Sequence, residues 1–134
     1  MTIAMANMKN ELWKYTLDPI AIAARTKKVK IGFAVAQMAL HHPIRFAEQI
    51  ALIDNISHGR MIVGVGRGTA YNFYEFRGYG IDPDEAHEML LEVEDILVKS
   101  WTTEKYKHDG KYWQVELPVL RPQVYQKPLS LIHI

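Results

Sequence analysis

The sequence predicts an α/β chain in which parallel strands alternate with helices, part of either a parallel barrel or an open doubly wound sheet. Three observations carry this. VKIGFAVA (residues 29–36) and RMIVGVG (residues 60–66) are apolar and β-branched with little alternation, as in strands buried on both faces. A helical stretch separates them, and strands joined through a crossover helix run parallel. A third helical pattern follows the second run, so the order repeats. Two such strands leave unpaired outer edges, and further strands are needed on at least one side.

The elements follow in order. TLDPIAIAARTKK (residues 16–28) reads as a short helix that Asp18 caps, Pro19 starts and basic residues close. After the first strand, Pro43 opens PIRFAEQIALIDNIS, with Ile44, Ala47 and Ala51 on one apolar side. His58-Gly59 ends that helix, because glycine accepts the left-handed turn beyond a helix. The second strand comes next, and residues 67–81 read as a long loop. Asp82-Pro83-Asp84-Glu85 starts the clearest helix: a capping carboxylate, a proline in the first turn, and acids at the positive end of the dipole. Ala86, Met89, Leu90, Val93, Ile96, Leu97 and Trp101 then keep helical spacing. In KYKHDGKYWQV, Asp109-Gly110 lies between two alternating aromatic runs, the signal of a tight hairpin. LPVLRPQVYQKP is extended and punctuated by proline.

The 134 residues suffice for one domain, carry a formal charge of +1 and include no cysteine. A near-neutral balance gives no electrostatic reason to expect a nucleic acid or an anionic membrane as partner. Disulfides, thiolate nucleophiles and thiolate metal sites are excluded. The N-terminus MTIAMANMKNELW lacks the basic start and apolar core of a secretory signal. The longest nearly apolar run, IGFAVAQMAL (residues 31–40), holds Gln37 and is too short to span a bilayer. A cytoplasmic protein is expected. The last six residues, LSLIHI, back-translate to a transposon end used as a sequencing adapter. Residues 129–134 are therefore read as a non-native tail, Leu129 excepted or not, and residues 1–128 as a fragment of a longer domain.

Gly64, Gly66 and Gly68 follow the second strand as G-V-G-R-G. A dinucleotide fingerprint needs G-x-G-x-x-G with a helix beginning inside it, but position 69 is threonine and the next capping signal is Asp82. The G-x-x-x-x-G-K phosphate loop is absent as well. What remains is a strand ending in small residues, then a cation. Small residues let a flat ring or a phosphate approach the backbone, and Arg67 can meet a phosphate through its fork. The first strand ends similarly in Ala34-Val35-Ala36, so a planar ligand across both strand ends is one reading. Relief of crowding in a barrel interior is the other.

The segments RTKKVKIGFAVAQMALHHPIRFAEQIALIDNISHGRMIVGVGRG, FRGYGIDPDEAHEMLLEVEDIL, KHDGKYWQ and PVLRPQVYQKP, in that order, resemble the bacterial luciferase-like flavin monooxygenases. These are eight-stranded TIM (β/α)8 barrels, and the likeness covers residues 18–128. It implies that residues 29–36 are the third barrel strand and 60–66 the fourth. The two preceding strands and the four that follow would be missing, and a whole barrel takes about 250 residues. The resemblance further implies that FMN, or a related deazaflavin, lies over Ala34, Val35 and Ala36, with a cis peptide at Ala34-Val35. Gly66, Arg67 and Gly68 would contact the cofactor, Arg67 at its phosphate, while Tyr71, Asn72 and Phe73 would stand near the substrate mouth.

Other chemistry is weaker. His87-Glu88 lacks the second histidine of a zinc helix, since residue 91 is leucine. No metal is expected. His42, before Pro43, reads as structural, whereas His41 is a candidate to face the flavin edge. Asp82 and Asp84 are explained by capping. Trp101, Tyr106, Tyr112 and Trp113 read as packing for the hairpin.

The expected activity is a flavin-dependent monooxygenase using reduced FMN and dioxygen on a small organic substrate, with a flavin reductase as partner and, by analogy with relatives, a homodimeric assembly. Its catalytic residues would lie on strands outside this sequence. The alternatives are hydride transfer with a deazaflavin, and a non-catalytic flavin-binding subunit.

Overall fold

The helix read around Pro19 forms as α1, Leu17–Arg25, in the computed structural model, which describes residues 3–5, 17–129 and 132–133. Pro19 is buried in its first turn, while the Asp18 cap lies outside the described side chains. The strand expected over residues 29–36 is divided into β2, Lys30–Gly32, and β3, Ala36–Gln37. Between them the Ala34-Val35 peptide is cis, at the place the resemblance implies, and the chain leaves the straight ladder there. No strand was expected before this one, yet Ile3–Met5 forms β1 and pairs with β2 in parallel. Helix α2, Pro43–Ser57, and strand β4, Met61–Gly66, match their expected places. His58 and Gly59 close α2 with positive φ of 53° and 77°.

The chain divides into two compact units. The first takes Met1–Ala36, Glu48–Val65 and Pro122–Ile134, and the second Gln37–Ala47 and Gly66–Arg121. In the first, β2 lies between β1 and β4, all parallel, with Ile31 opposite Met61 and Gly32 opposite Ile62. Strand β7, Ile132–His133, falls in the expected tail and pairs with β4 in parallel. The described strands do not close into a barrel.

Two buried polar side chains hold this unit. The Arg60 fork donates to the carbonyls of Ser57 (2.7 Å), Val29 (2.8 Å), Ala23 (2.9 Å) and Thr26 (2.9 Å), so carbonyls in and after the last turns of two helices share one cation. Asp54, 2% exposed, accepts from the backbone of Tyr125 (2.8 Å) and Gln126 (2.9 Å) and from the Gln126 amide (2.7 Å). The same amide donates to Met61 O at 2.9 Å, and Asn55 Nδ2 reaches Gln123 O at 2.6 Å. The extended segment after residue 121 is thereby fastened to α2 and β4. Asp54→Ala removes the acceptor of three part-buried donors, and we expect it to cost about 1–3 kcal/mol in urea unfolding.

The second unit builds around α4, Ala86–Thr102. Asp82 Oδ1 accepts from Asp84 N at 3.0 Å, and a short 3₁₀ turn, Pro83–Glu85, leads in. The predicted apolar positions are buried, apart from Trp101, which is half-buried and donates to Ala47 O at 3.2 Å. Ala39, Phe76, Ala86 and Met89 form one core cluster, and Ile96, Tyr106 and Val115 another.

Two expectations are corrected here. Residues 67–81 are not all loop: a 3₁₀ turn, Ala70–Asn72, leads into a short helix α3, Phe73–Gly78. The hairpin, β5 (Tyr106–Asp109) against β6 (Gln114–Leu117), is not turned by two residues, since Asp109 pairs with Gln114 and four residues lie between. Glu92 on α4 explains that loop. Its carboxylate accepts from Trp113 N (2.8 Å), Tyr112 N (3.0 Å) and His108 Nε2 (3.0 Å). Burial raises the Glu92 carboxyl, but these donors outweigh it and hold the group below its ordinary range. No described helix is long and apolar enough to cross a membrane.

Candidate functional site

Beyond the last residue of β4, the second unit folds Arg67, Gly68, Thr69, Phe73, Phe76 and Ala86 around a cavity of about 230 Å³, with Pro83 and Asp84 completing its wall. The local sequence makes this turn stiff. Asn72 Oδ1 accepts from both Thr69 N (3.2 Å) and Thr69 Oγ1 (3.1 Å), and Asn72 Nδ2 donates to Glu75 Oε2 at 2.8 Å. Such a side-chain lock is what a short helix with no apolar periodicity needs. Gly68 has φ of +91°, and a Cβ there would stand 3.1 Å from Phe76 Cζ. Phe76 is itself fixed in the core cluster of α4.

The predicted residues fall as follows. Arg67, Gly68 and Phe73 line the cavity together, and Gly66 ends β4 immediately before it. Tyr71 is 90% exposed and outside the lining. Asn72 spends its amide within the turn. Ala34 and Val35 are exposed and Ala36 is buried, all in the first unit. There, a Cβ on Gly64 would collide with Phe33 O and lie 3.4 Å from Val35 Cγ1. Only glycine lets β4 pass the carbonyl just before Ala34.

Arg67 is exposed, and among the described residues no hydrogen bond or ion pair engages it. A guanidinium without a partner at a cavity wall, beside a glycine backbone and a hydroxyl, fits an anionic oxygen group. The volume is below the roughly 300–1,000 Å³ of pockets for whole drug-sized ligands, so it suits an end group such as a phosphate. The residues present therefore fit the terminal phosphate of a larger ligand.

Gln37 was not singled out from the sequence. Its amide carbon stands 3.5 Å from the position a Gly68 Cβ would take, and its Oε1 is buried with no hydrogen-bond partner among the described residues. The available signal was its place as the one polar residue of IGFAVAQMAL. His41 packs its ring 5.3 Å from that of Phe46, and burial pushes the imidazole down to about 4 from 6.5. Folding thus favours the neutral ring. The stabilisation is complete above about pH 6.5 and is lost as pH falls toward about 4. Urea midpoints should decline across that window, and His41→Phe should flatten the decline. Among the described residues no group of His, Asp and Glu could hold a metal ion.

The sequence model of a family described as luciferase-like monooxygenase matches residues 20–133. The oxygenase component of the flavin-dependent trigonelline monooxygenase of Acinetobacter baylyi is 35% identical over 108 residues, covering 80% of this chain and 29% of that protein. The crystal structure of monooxygenase RslO1 from Streptomyces bottropensis superposes with a TM-score of 0.81 at 27% identity, over 97% of this chain and 40% of that one. The oxygenating constituent of 3,6-diketocamphane monooxygenase from Pseudomonas putida, a type II Baeyer-Villiger monooxygenase in complex with FMN, gives a TM-score of 0.72 at 27% identity, over 88% and 35%. The chain spans 31% and 40% of the length of two further curated relatives it matches.

Proposed function

The chain belongs to the luciferase-like monooxygenase family, and from that premise we propose that it serves as the oxygenating component of a flavin-dependent monooxygenase acting on a small organic substrate. The observation that carries this reading is the unengaged Arg67 on the cavity directly after β4. Reduced FMN, when bound, would supply the two electrons with which one atom of dioxygen could enter the substrate and the other leave as water. The oxygenase-component relative supports a separate flavin reductase as the source of reduced cofactor.

The chain's own residues bind and shield. Arg67 neutralises the phosphate, and Gly68 lets it approach the backbone. The Thr69–Asn72–Glu75 lock holds that turn in place. Phe73 and Phe76 present apolar surface that excludes water. Ala34 and Ala36, with no bulk beyond Cβ, leave room for a flat ring between β2 and β3 of the chain.

The test is a titration of the purified chain with FMN, riboflavin and a deazaflavin, read by flavin fluorescence. Oxygen uptake is then measured with NADH and a flavin reductase, with and without candidate substrates. FMN bound in preference to riboflavin, with substrate-dependent oxygen uptake, is the expected result. Preference for the deazaflavin would move the assignment to hydride transfer. Binding of FMN without any turnover would leave a flavin-binding subunit, and no binding at all would sink the reading.

A further inference from the structure

Opposite charges set directly across two antiparallel strands ordinarily pair, and the hairpin holds a couple that does not. Lys107 on β5 stands opposite Glu116 on β6, where side chains on one face come within about 5 Å of each other at Cβ. Both are exposed, yet among the described residues no hydrogen bond or ion pair engages either side chain, nor that of Lys105. The three line a cavity of about 510 Å³ together with Tyr106, Leu117 and Pro118. That volume lies within the roughly 300–1,000 Å³ of small-molecule pockets. Its walls are fixed. Tyr106 is buried, with its hydroxyl 2.7 Å from Ser100 Oγ and donating to Ile96 O at 3.3 Å, so the ring is not free to swing into the space. Pro118 has a locked φ, and its carbonyl accepts from Lys105 N at 2.7 Å. Lys105 has φ of +54°, a left-handed backbone that a residue with a side chain seldom adopts. Such strain persists only where the surroundings enforce it, and it gathers at ligand sites.

We propose that this cavity is a binding site for a small apolar monocarboxylate, its anion held by the Lys105 and Lys107 ammonium groups and its body lying against Leu117 and Pro118. The lining selects that class. Two ammonium groups face one carboxylate, Glu116, so a single negative charge on the ligand balances the site. A dianion would meet Glu116 with twice the repulsion. Leu117, Pro118 and the aliphatic stems of the two lysines offer apolar surface, which an inorganic anion would leave uncovered and a hydrocarbon body would bury. None of these six residues lines the cavity that follows β4, so the site is separate from the one in the functional reading and does not depend on it.

The experiment titrates the nitrogen-15-labelled chain with octanoate, with acetate, which lacks the apolar body, and with octanamide, which lacks the charge, and follows the backbone amides by NMR. Octanoate should shift the Lys105, Lys107, Glu116 and Leu117 amides saturably at millimolar concentration, and the other two probes should bind about tenfold more weakly or less. Lys107→Met should weaken octanoate about five- to tenfold, while Glu116→Gln should tighten it about twofold, since a like charge is gone. Neither side chain has a partner to lose, so both variants should melt with the parent and keep its flavin affinity. Octanamide binding as tightly as octanoate, or an unchanged affinity in Lys107→Met, would overturn the role given to the lysines. Acetate binding as tightly would overturn the apolar body. Octanoate shifts confined to other residues, or none that saturate, would overturn the site and leave the functional reading intact.

Discussion

An Arg67→Met chain should bind FMN about 10- to 100-fold more weakly than the parent, with riboflavin affinity unchanged to within about twofold. The two ligands differ only by the phosphate, so the comparison isolates the group that Arg67 is placed to meet. Arg67 sits on the cavity wall without a partner in the described chain, so methionine breaks no contact that the fold uses. Its aliphatic reach is similar, and stability should hold. Arg67→Lys should fall between, since the charge stays and the forked geometry goes. The difference should shrink as salt is raised, because an exposed ion pair is screened. Fluorescence titrations at two ionic strengths check all of this. Equal loss of FMN and riboflavin would mean that Arg67 acts on something other than the phosphate.

Gly64→Ala should be the most damaging single methyl in the first unit, costing about 3 kcal/mol in denaturant unfolding. The added carbon would collide with Phe33 O, which is backbone and cannot rotate away. β2 and β4 would have to part, and the Phe33 N to Ile62 O bond, already 3.3 Å, would be the first lost. The displaced segment leads straight into Ala34-Val35, so flavin binding should fall together with stability. A chain that melts within 2 °C of the parent would show that the sheet relaxes there at little cost, roughly half a kcal/mol.

Much of this was legible because it is written in local chemistry. Asp82, Pro83 and the spacing from Ala86 to Trp101 specify α4 without help from the rest of the chain, and Pro43 and Gly59 bracket α2 in the same way. The misses share a different cause. Residues 29–36 read as one strand because side-chain pattern carries no mark of a cis linkage. Helix α3 escaped notice because its support is the polar lock of Thr69, Asn72 and Glu75 rather than an apolar stripe. The roles of Asp54 and Arg60 escaped notice because their partners lie up to 72 residues away in sequence. Of the residues named from the sequence, Arg67, Gly68 and Phe73 line one cavity, because a strand end of small residues leaves open space beside it.

The hairpin of β5 and β6 owes its turn to a carboxylate that belongs to α4, and this has a consequence for anyone making reagents against the protein. A synthetic peptide covering residues 104–119 would contain every residue of the loop and still lack the anion that gathers its amides. Antisera raised on that peptide would recognise denatured chains on a blot. They would miss the native epitope, unless the immunogen began upstream of Glu92.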